Sequence, residues 1–105
     1  LMESGHYDWA LFISHLAIEK IFKSLIVKNG TVPKFTHNLA VLAEQANLTL
    51  PEHFESWLQE VTSFNIEARY AGEKLDFYKR ATRKFAKLWH QRCVEVFQWL
   101  LQQLN

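Results

Sequence analysis

Cysteine, proline and glycine are nearly missing from this 105-residue chain: one Cys, two Pro and three Gly. A single thiol, Cys93, excludes an internal disulfide and a cysteine-based metal site, and it fits a reducing, cytoplasmic setting. So few Gly and Pro argue against a loop-rich or all-β chain and favour helices. No apolar run approaches the roughly 18 residues of a membrane span, so no membrane contact is expected. No basic-then-apolar leader opens the sequence, which starts Leu1-Met2-Glu3 and carries His6 and Asp8. A net charge of +1 gives no global acidic or basic signal and speaks against a protein devoted to DNA. Apolar residues, at 49 %, are plentiful, so one domain over residues 1–105 with a thin core is expected.

Charge is unevenly placed along the chain. Phe35 to Ala68 holds Glu44, Glu52, Glu55, Glu60 and Glu67 with no Lys or Arg. Lys74 to Arg92 holds Lys74, Lys79, Arg80, Arg83, Lys84, Lys87 and Arg92 against Asp76 alone. Two solvated helix faces that attract each other would explain this, and so would an anion-binding face on the second stretch.

Periodicity predicts four helices. The first runs Tyr7–Lys28 and stops at Asn29-Gly30. It is apolar on two sides: Trp9, Phe12, Ile13 and Leu16 against Ile18, Ile21, Phe22, Leu25 and Ile26. Such a helix is either the middle of the bundle or shared with a partner chain. Gly30 to Thr36 reads as a loop, with Val32-Pro33 extended. Thr36 is the expected N-cap of a second helix, His37–Ala46, with Leu39, Leu42, Ala43 and Ala46 inward. A capping box over Thr49-Leu50-Pro51-Glu52 precedes the third helix, whose buried face is Phe54, Trp57, Leu58, Val61 and Phe64. Asn65 to Leu75 reads as a connection with at most a turn of helix. Asp76 is the expected cap of the last helix, Phe77–Gln103, with a stripe of Phe77, Ala81, Phe85, Leu88, Val96 and Leu100. The fold class expected is all-α, an antiparallel up-and-down bundle of four main helices with room for a short fifth.

General catalytic motifs are missing: no glycine-rich phosphate loop, no H-E-x-x-H, no G-x-S-x-G. His15 and Glu19, four apart, are half a metal site at most, and no second cluster completes it, so no metal and no cofactor is expected. Trp57, Trp89 and Trp99 fall at packing positions. The segment His15-Leu16-Ala17-Ile18-Glu19-Lys20, then Lys23-Ser24-Leu25, resembles the first-helix signature of HEPN domains. Val32-Pro33-Lys34-Phe35-Thr36-His37-Asn38-Leu39 resembles that family's Pro-x-x-Thr-His-Asn/Asp-Leu segment, and Asn65 to Tyr70 resembles its Arg-Tyr-Pro segment. The opening Gly5-His6-Tyr7-Asp8-Trp9-Ala10 is similar to small prokaryotic members often encoded beside a minimal nucleotidyltransferase. The resemblance implies a helical bundle that forms a homodimer, with a groove for nucleotides or RNA. Many relatives act in toxin–antitoxin or defence modules, and some are metal-independent ribonucleases.

The family's ribonuclease motif pairs an Arg with a His four to six residues on. Arg69 matches the Arg, but Tyr70 through Asp76 holds no His, and Ala71-Gly72 replaces Pro-Asp. Arg83 and His90 offer a second pair by spacing, on one helix face about 10 Å apart. The reading favoured is a non-catalytic binding module, with candidate ligand-binding residues Lys20, Lys23, His37, Arg69, Tyr70, Arg80 and Arg83. A ribonuclease toxin using Arg83 and His90 and a purely structural dimerisation domain are the alternatives. Each candidate also has an ordinary explanation: Glu19–Lys23 as an i,i+4 pair, His37 as a first-turn residue, Arg69 with Tyr70 as an ion pair plus packing, and Arg80 and Arg83 pairing with the acidic third helix.

Overall fold

A computed structural model of the chain describes residues 7–69 and 82–104; within helices, the side chains of 7–9 and 65–69 lie outside the description. The described residues form four helices and no strand: α1 Tyr7–Lys28, α2 Leu39–Gln45, α3 Phe54–Arg69 and α4 Arg83–Leu104. The all-α expectation holds.

Helix α1 ends where its sequence says it should. Gly30 takes the left-handed conformation at φ 82°, which lets Gly30 N donate to Val27 O and Thr31 N to Ile26 O. Asn47, at φ 57°, closes α2 in the same way, with Leu48 N donating to Ala43 O. The start of α2 corrects the expected cap. Asn38, not Thr36, is the N-cap, its Oδ1 accepting from Ala40 N and Val41 N. The Thr36 Oγ1 instead accepts from Asn38 N, which turns the chain into that cap. Helix α3 starts at Phe54, after a turn closed by Phe54 N on Pro51 O, two residues past the expected box. It runs on through Arg69, so the turn of helix expected in the connection from Asn65 is the end of α3. Helix α4 begins at Arg83, with Thr82 Oγ1 accepting from Phe85 N. Thr82, the first described residue before α4, is not helical; Asp76, Phe77 and Ala81, at the expected start of the last helix, lie outside the described residues.

Ring contacts set the directions. Phe54 meets Trp99 at 5.8 Å and Phe64 meets Trp89 at 5.8 Å, so α3 and α4 are antiparallel. Lys28 reaches the carbonyl of Leu104, while Ile13 and Ala17 sit beside His90 and Val94, so α1 and α4 are parallel. Helix α1 packs on all three others and is the middle of the bundle. Its core side is Leu11, Ile18, Ile21, Phe22, Leu25 and Ile26, closed by Leu39, Leu42, Ala43 and Ala46 from α2 and by Phe54, Leu58, Val61 and Phe64 from α3. The inward stripe of α4 is Ala86, Trp89, Cys93, Val96 and Leu100. Leu88, expected inside, is 45 % exposed, because the true stripe is rotated toward Ala86 and Cys93. Burial pushes the Cys93 thiol up to about 12, which keeps it protonated and unreactive.

Candidate functional site

Three features of the surface carry chemistry. The first is built on Glu19, which α1 holds almost wholly buried beside the loop that enters α2. Its Oε2 accepts from Lys23 Nζ at 2.8 Å, one turn on along α1. Its Oε1 accepts from His37 Nδ1 at 2.9 Å. One turn earlier, fully buried His15 donates Nε2–H to the carbonyl of His37 at 3.0 Å. That bond fixes the tautomer and leaves His15 Nδ1 unpartnered, 3.8 Å from Glu19 Oε1. Burial would raise the Glu19 carboxyl, but the hydrogen bonds and positive charges of Lys23 and His37 outweigh it and hold the group below 4.5. Burial dominates at His15 and holds it below 6.5, so the ring is neutral at pH 7. The cluster fastens the loop to α1 from both sides of His37. Among the described residues no group of three or more His, Cys, Asp or Glu has the arrangement of a metal site.

The second feature is the basic start of α4. Arg83, Lys84 and Lys87 are exposed and make no ion pair among the described residues. Arg83 thus pairs with none of the described acidic side chains of α3. Arg92 is removed from this face: its guanidinium lies 5.1 Å from the Trp57 ring and 4.7 Å from the Trp89 ring. The antiparallel register sets the end of α3, at Arg69, level with Arg83 and Lys84. Tyr70 and Arg80 lie outside the described residues, as does the side chain of Arg69.

The third feature is an apolar groove of about 370 Å³ between α1 and α4. Ile13, Ala17, Val94, Phe97 and Leu101 line it, with His90 and Gln98 at its edge. Ile13, Val94 and Leu101 are 44, 39 and 42 % exposed. Arg83, Lys87 and His90 continue the same stripe of α4 toward its N-terminus, at spacings of four and three.

The ligand-binding candidates therefore divide. Lys23 and His37 meet at Glu19, and exposed Lys20 is their neighbour on α1. Arg69 and Arg83 share the far end of the bundle, roughly 20 Å along the axis at 1.5 Å per residue. One compact site holding all of them does not exist.

The order of motifs, the helical architecture and the buried His15–Glu19 turn meet in one comparison: the family model of the HEPN domain matches residues 1–104. The chain belongs to the HEPN domain family. No curated protein and no solved structure matches it. Within this HEPN domain, three of the residues that carry the resemblance are fasteners. His15, Glu19 and His37 join the first-helix segment to the Thr-His-Asn-Leu segment. Sequence reasoning missed the Glu19–His37 bond. It also missed Gln45, whose Oε1 accepts from Lys34 N at 2.8 Å while Nε2 donates to Val32 O at 2.7 Å. The i,i+4 spacing of His15, Glu19 and Lys23 was the available signal for the first, and nothing local announces the second. No described helix is long and apolar enough to cross a membrane.

Proposed function

We propose that this HEPN domain is a non-catalytic binding module: a homodimer that takes a phosphate-bearing ligand, a nucleotide or RNA, at the end of the bundle where Arg69 and Arg83 lie. The observation that carries the reading is the basic start of α4, where Arg83, Lys84 and Lys87 are exposed and without an ion pair among the described residues, level with the end of α3 at Arg69. Unpaired cations on one helix end attract phosphate oxygens, and guanidinium forks pair with them two at a time.

Cleavage of RNA through its 2′-hydroxyl needs a base, an acid and a cation for the phosphorane. The end of α3 supplies the cation, and no His follows Arg69 as far as Asp76. His15 is buried and His37 is bonded to Glu19, so neither is available there. Binding without turnover follows. RNA incubated with the purified protein in EDTA is expected to survive at the background rate. A second reading, the ribonuclease toxin, draws on the shared stripe of Arg83 and His90; cleavage that vanishes in His90→Ala would establish it.

The groove supports the homodimer. Large apolar side chains half in water on facing helices mark a contact surface. A Val94→Lys substitution is expected to weaken self-association at least a hundredfold, read by light scattering, with helicity unchanged. A wild type that is monomeric at micromolar concentration would contradict the dimer. The resemblance of the opening residues to members paired with a minimal nucleotidyltransferase supports such an enzyme as the physiological partner, in a toxin–antitoxin-like module of the cytoplasm.

A further inference from the structure

The α1–α2 loop presents Phe35 wholly to water, at 105 % of its reference exposure, with Val32 at 84 %. This is not a slack loop. Gln45 clamps the backbone on one side of Phe35 through Lys34 N and Val32 O. On the other side Thr36 N donates to Lys34 O at 3.0 Å, and His37 is held by Glu19 and His15. Five hydrogen bonds thus hold the loop around an aromatic side chain that is fully exposed among the described residues. A rigid, outward aromatic loses little entropy on docking, which is the property of an interface anchor.

A receptor for it exists on the same molecule. A pocket of about 380 Å³ opens between α2 and α3. Leu48 and Leu50, half-buried, give it an apolar side over the buried Ala43 and Leu58, and Glu44, Glu55 and Gln59 add a polar, exposed lining. Lys34, exposed and adjacent to Phe35, carries the opposite charge. Glu44, at the pocket, precedes Gln45, the residue that clamps the loop, so α2 carries both the clamp and a wall of the pocket. Phe35, the knob, stands in water and is not among the residues that line the pocket of its own chain. Two copies related by a two-fold axis between knob and pocket can fill both pockets at once, which closes the contact.

We propose that Phe35 seats in the α2/α3 pocket of a second copy of this chain, with Lys34 set against Glu44 and Glu55, in a reciprocal contact separate from the α1/α4 groove. This goes beyond the binding role and does not depend on it. The charges make a decisive test possible in the full chain carrying Val94→Lys, which silences the groove. Self-association is followed by analytical ultracentrifugation. Phe35→Ala and Lys34→Glu should each weaken it at least tenfold, and so should the pair Glu44→Lys with Glu55→Lys. Each altered residue is exposed or at a rim, so melting temperatures should stay at that of the Val94→Lys background. Mixing the Lys34→Glu chain with the Glu44→Lys/Glu55→Lys chain should restore association, because in the mixed pair both knobs meet pockets of opposite charge. A Val94→Lys chain that stays monomeric at hundreds of micromolar would overturn the proposal. So would association indifferent to Phe35→Ala, or mixing that restores nothing.

Discussion

Glu19→Ala is expected to destabilise the domain by about 2–3 kcal/mol and to lower its melting temperature by about 10–15 °C. The carboxylate is nearly buried and accepts from two side chains on two different elements. Its removal leaves Lys23 and His37 without that acceptor, although both are exposed enough for water to recover part of the loss. It also frees the loop that sets the Asn38 cap of α2. Charge, and not shape alone, carries the effect, so Glu19→Gln should lose about half as much. The pH dependence has a fixed sign. Glu19 is held below 4.5 in the fold, so its contribution is complete above that value and is lost as pH falls through the lowered pKa. His15 is held below 6.5, so the unfolded chain takes up its proton first and stability begins to fall as pH drops below 6.5. Thermal melts from pH 7 down to about pH 2 should show the decline in two parts, the part below 4.5 missing in Glu19→Ala. A melting temperature within 3 °C of wild type for Glu19→Ala would remove the cluster from the account.

Phe64→Ala should be the more damaging change, at roughly 3–5 kcal/mol. Phe64 is fully buried and packs edge-on against Phe85 at 6.2 Å and Trp89 at 5.8 Å. These rings hold the last turns of α3 to the first turns of α4, where the pairing of the two helices is otherwise thin. A domain of this length has about 5–15 kcal/mol in total, so the variant sits near the edge of folding at 37 °C. Urea titration should show the midpoint falling with little change in slope, and Phe64→Leu should recover more than half of the loss. A loss under 1 kcal/mol in Phe64→Ala would mean that this end of the bundle is held by something other than its rings.

The fold was legible where one face of a helix meets one core. The stripes of α2 and α3 fell on the positions their spacing names, Leu39, Leu42, Ala43 and Ala46, then Phe54, Leu58, Val61 and Phe64, with Trp57 only half-buried at the edge of the core. Helix α1, apolar on two sides, is the middle of the bundle, and its second side forms a wall of the groove. The stripe of α4 was harder, because Leu88 and Trp89 are neighbours and hydrophobicity alone does not choose between them. Packing does: Trp89 fits against Phe64 and under Arg92, which turns Leu88 to water. The cap of α2 was misplaced by two residues, since Thr36 and Asn38 are both competent and tertiary contacts decide. Leu39 N donates to Thr62 Oγ1 across the bundle, which sets where α2 starts. The candidate site was legible as a set of residue types but not as a place. Spacing cannot show that Glu19 binds His37 while Arg83 stands about 20 Å away.

The central claim is that the basic end of the bundle binds phosphate. It is tested most directly by titrating a short single-stranded RNA into three proteins at two salt concentrations: wild type, Arg69→Ala, and the triple variant Arg83→Ser/Lys84→Ser/Lys87→Ser. Wild type should bind with an affinity that falls steeply with salt. The triple variant should lower the slope of log affinity against log salt by about 2, at roughly 0.7 per neutralised phosphate. Arg69→Ala should cost about ten- to hundredfold in affinity, the loss of one charge-assisted contact of about 1.5–3 kcal/mol, with its melting temperature kept. No binding by wild type at low salt, or equal affinities and slopes in all three proteins, would contradict the claim.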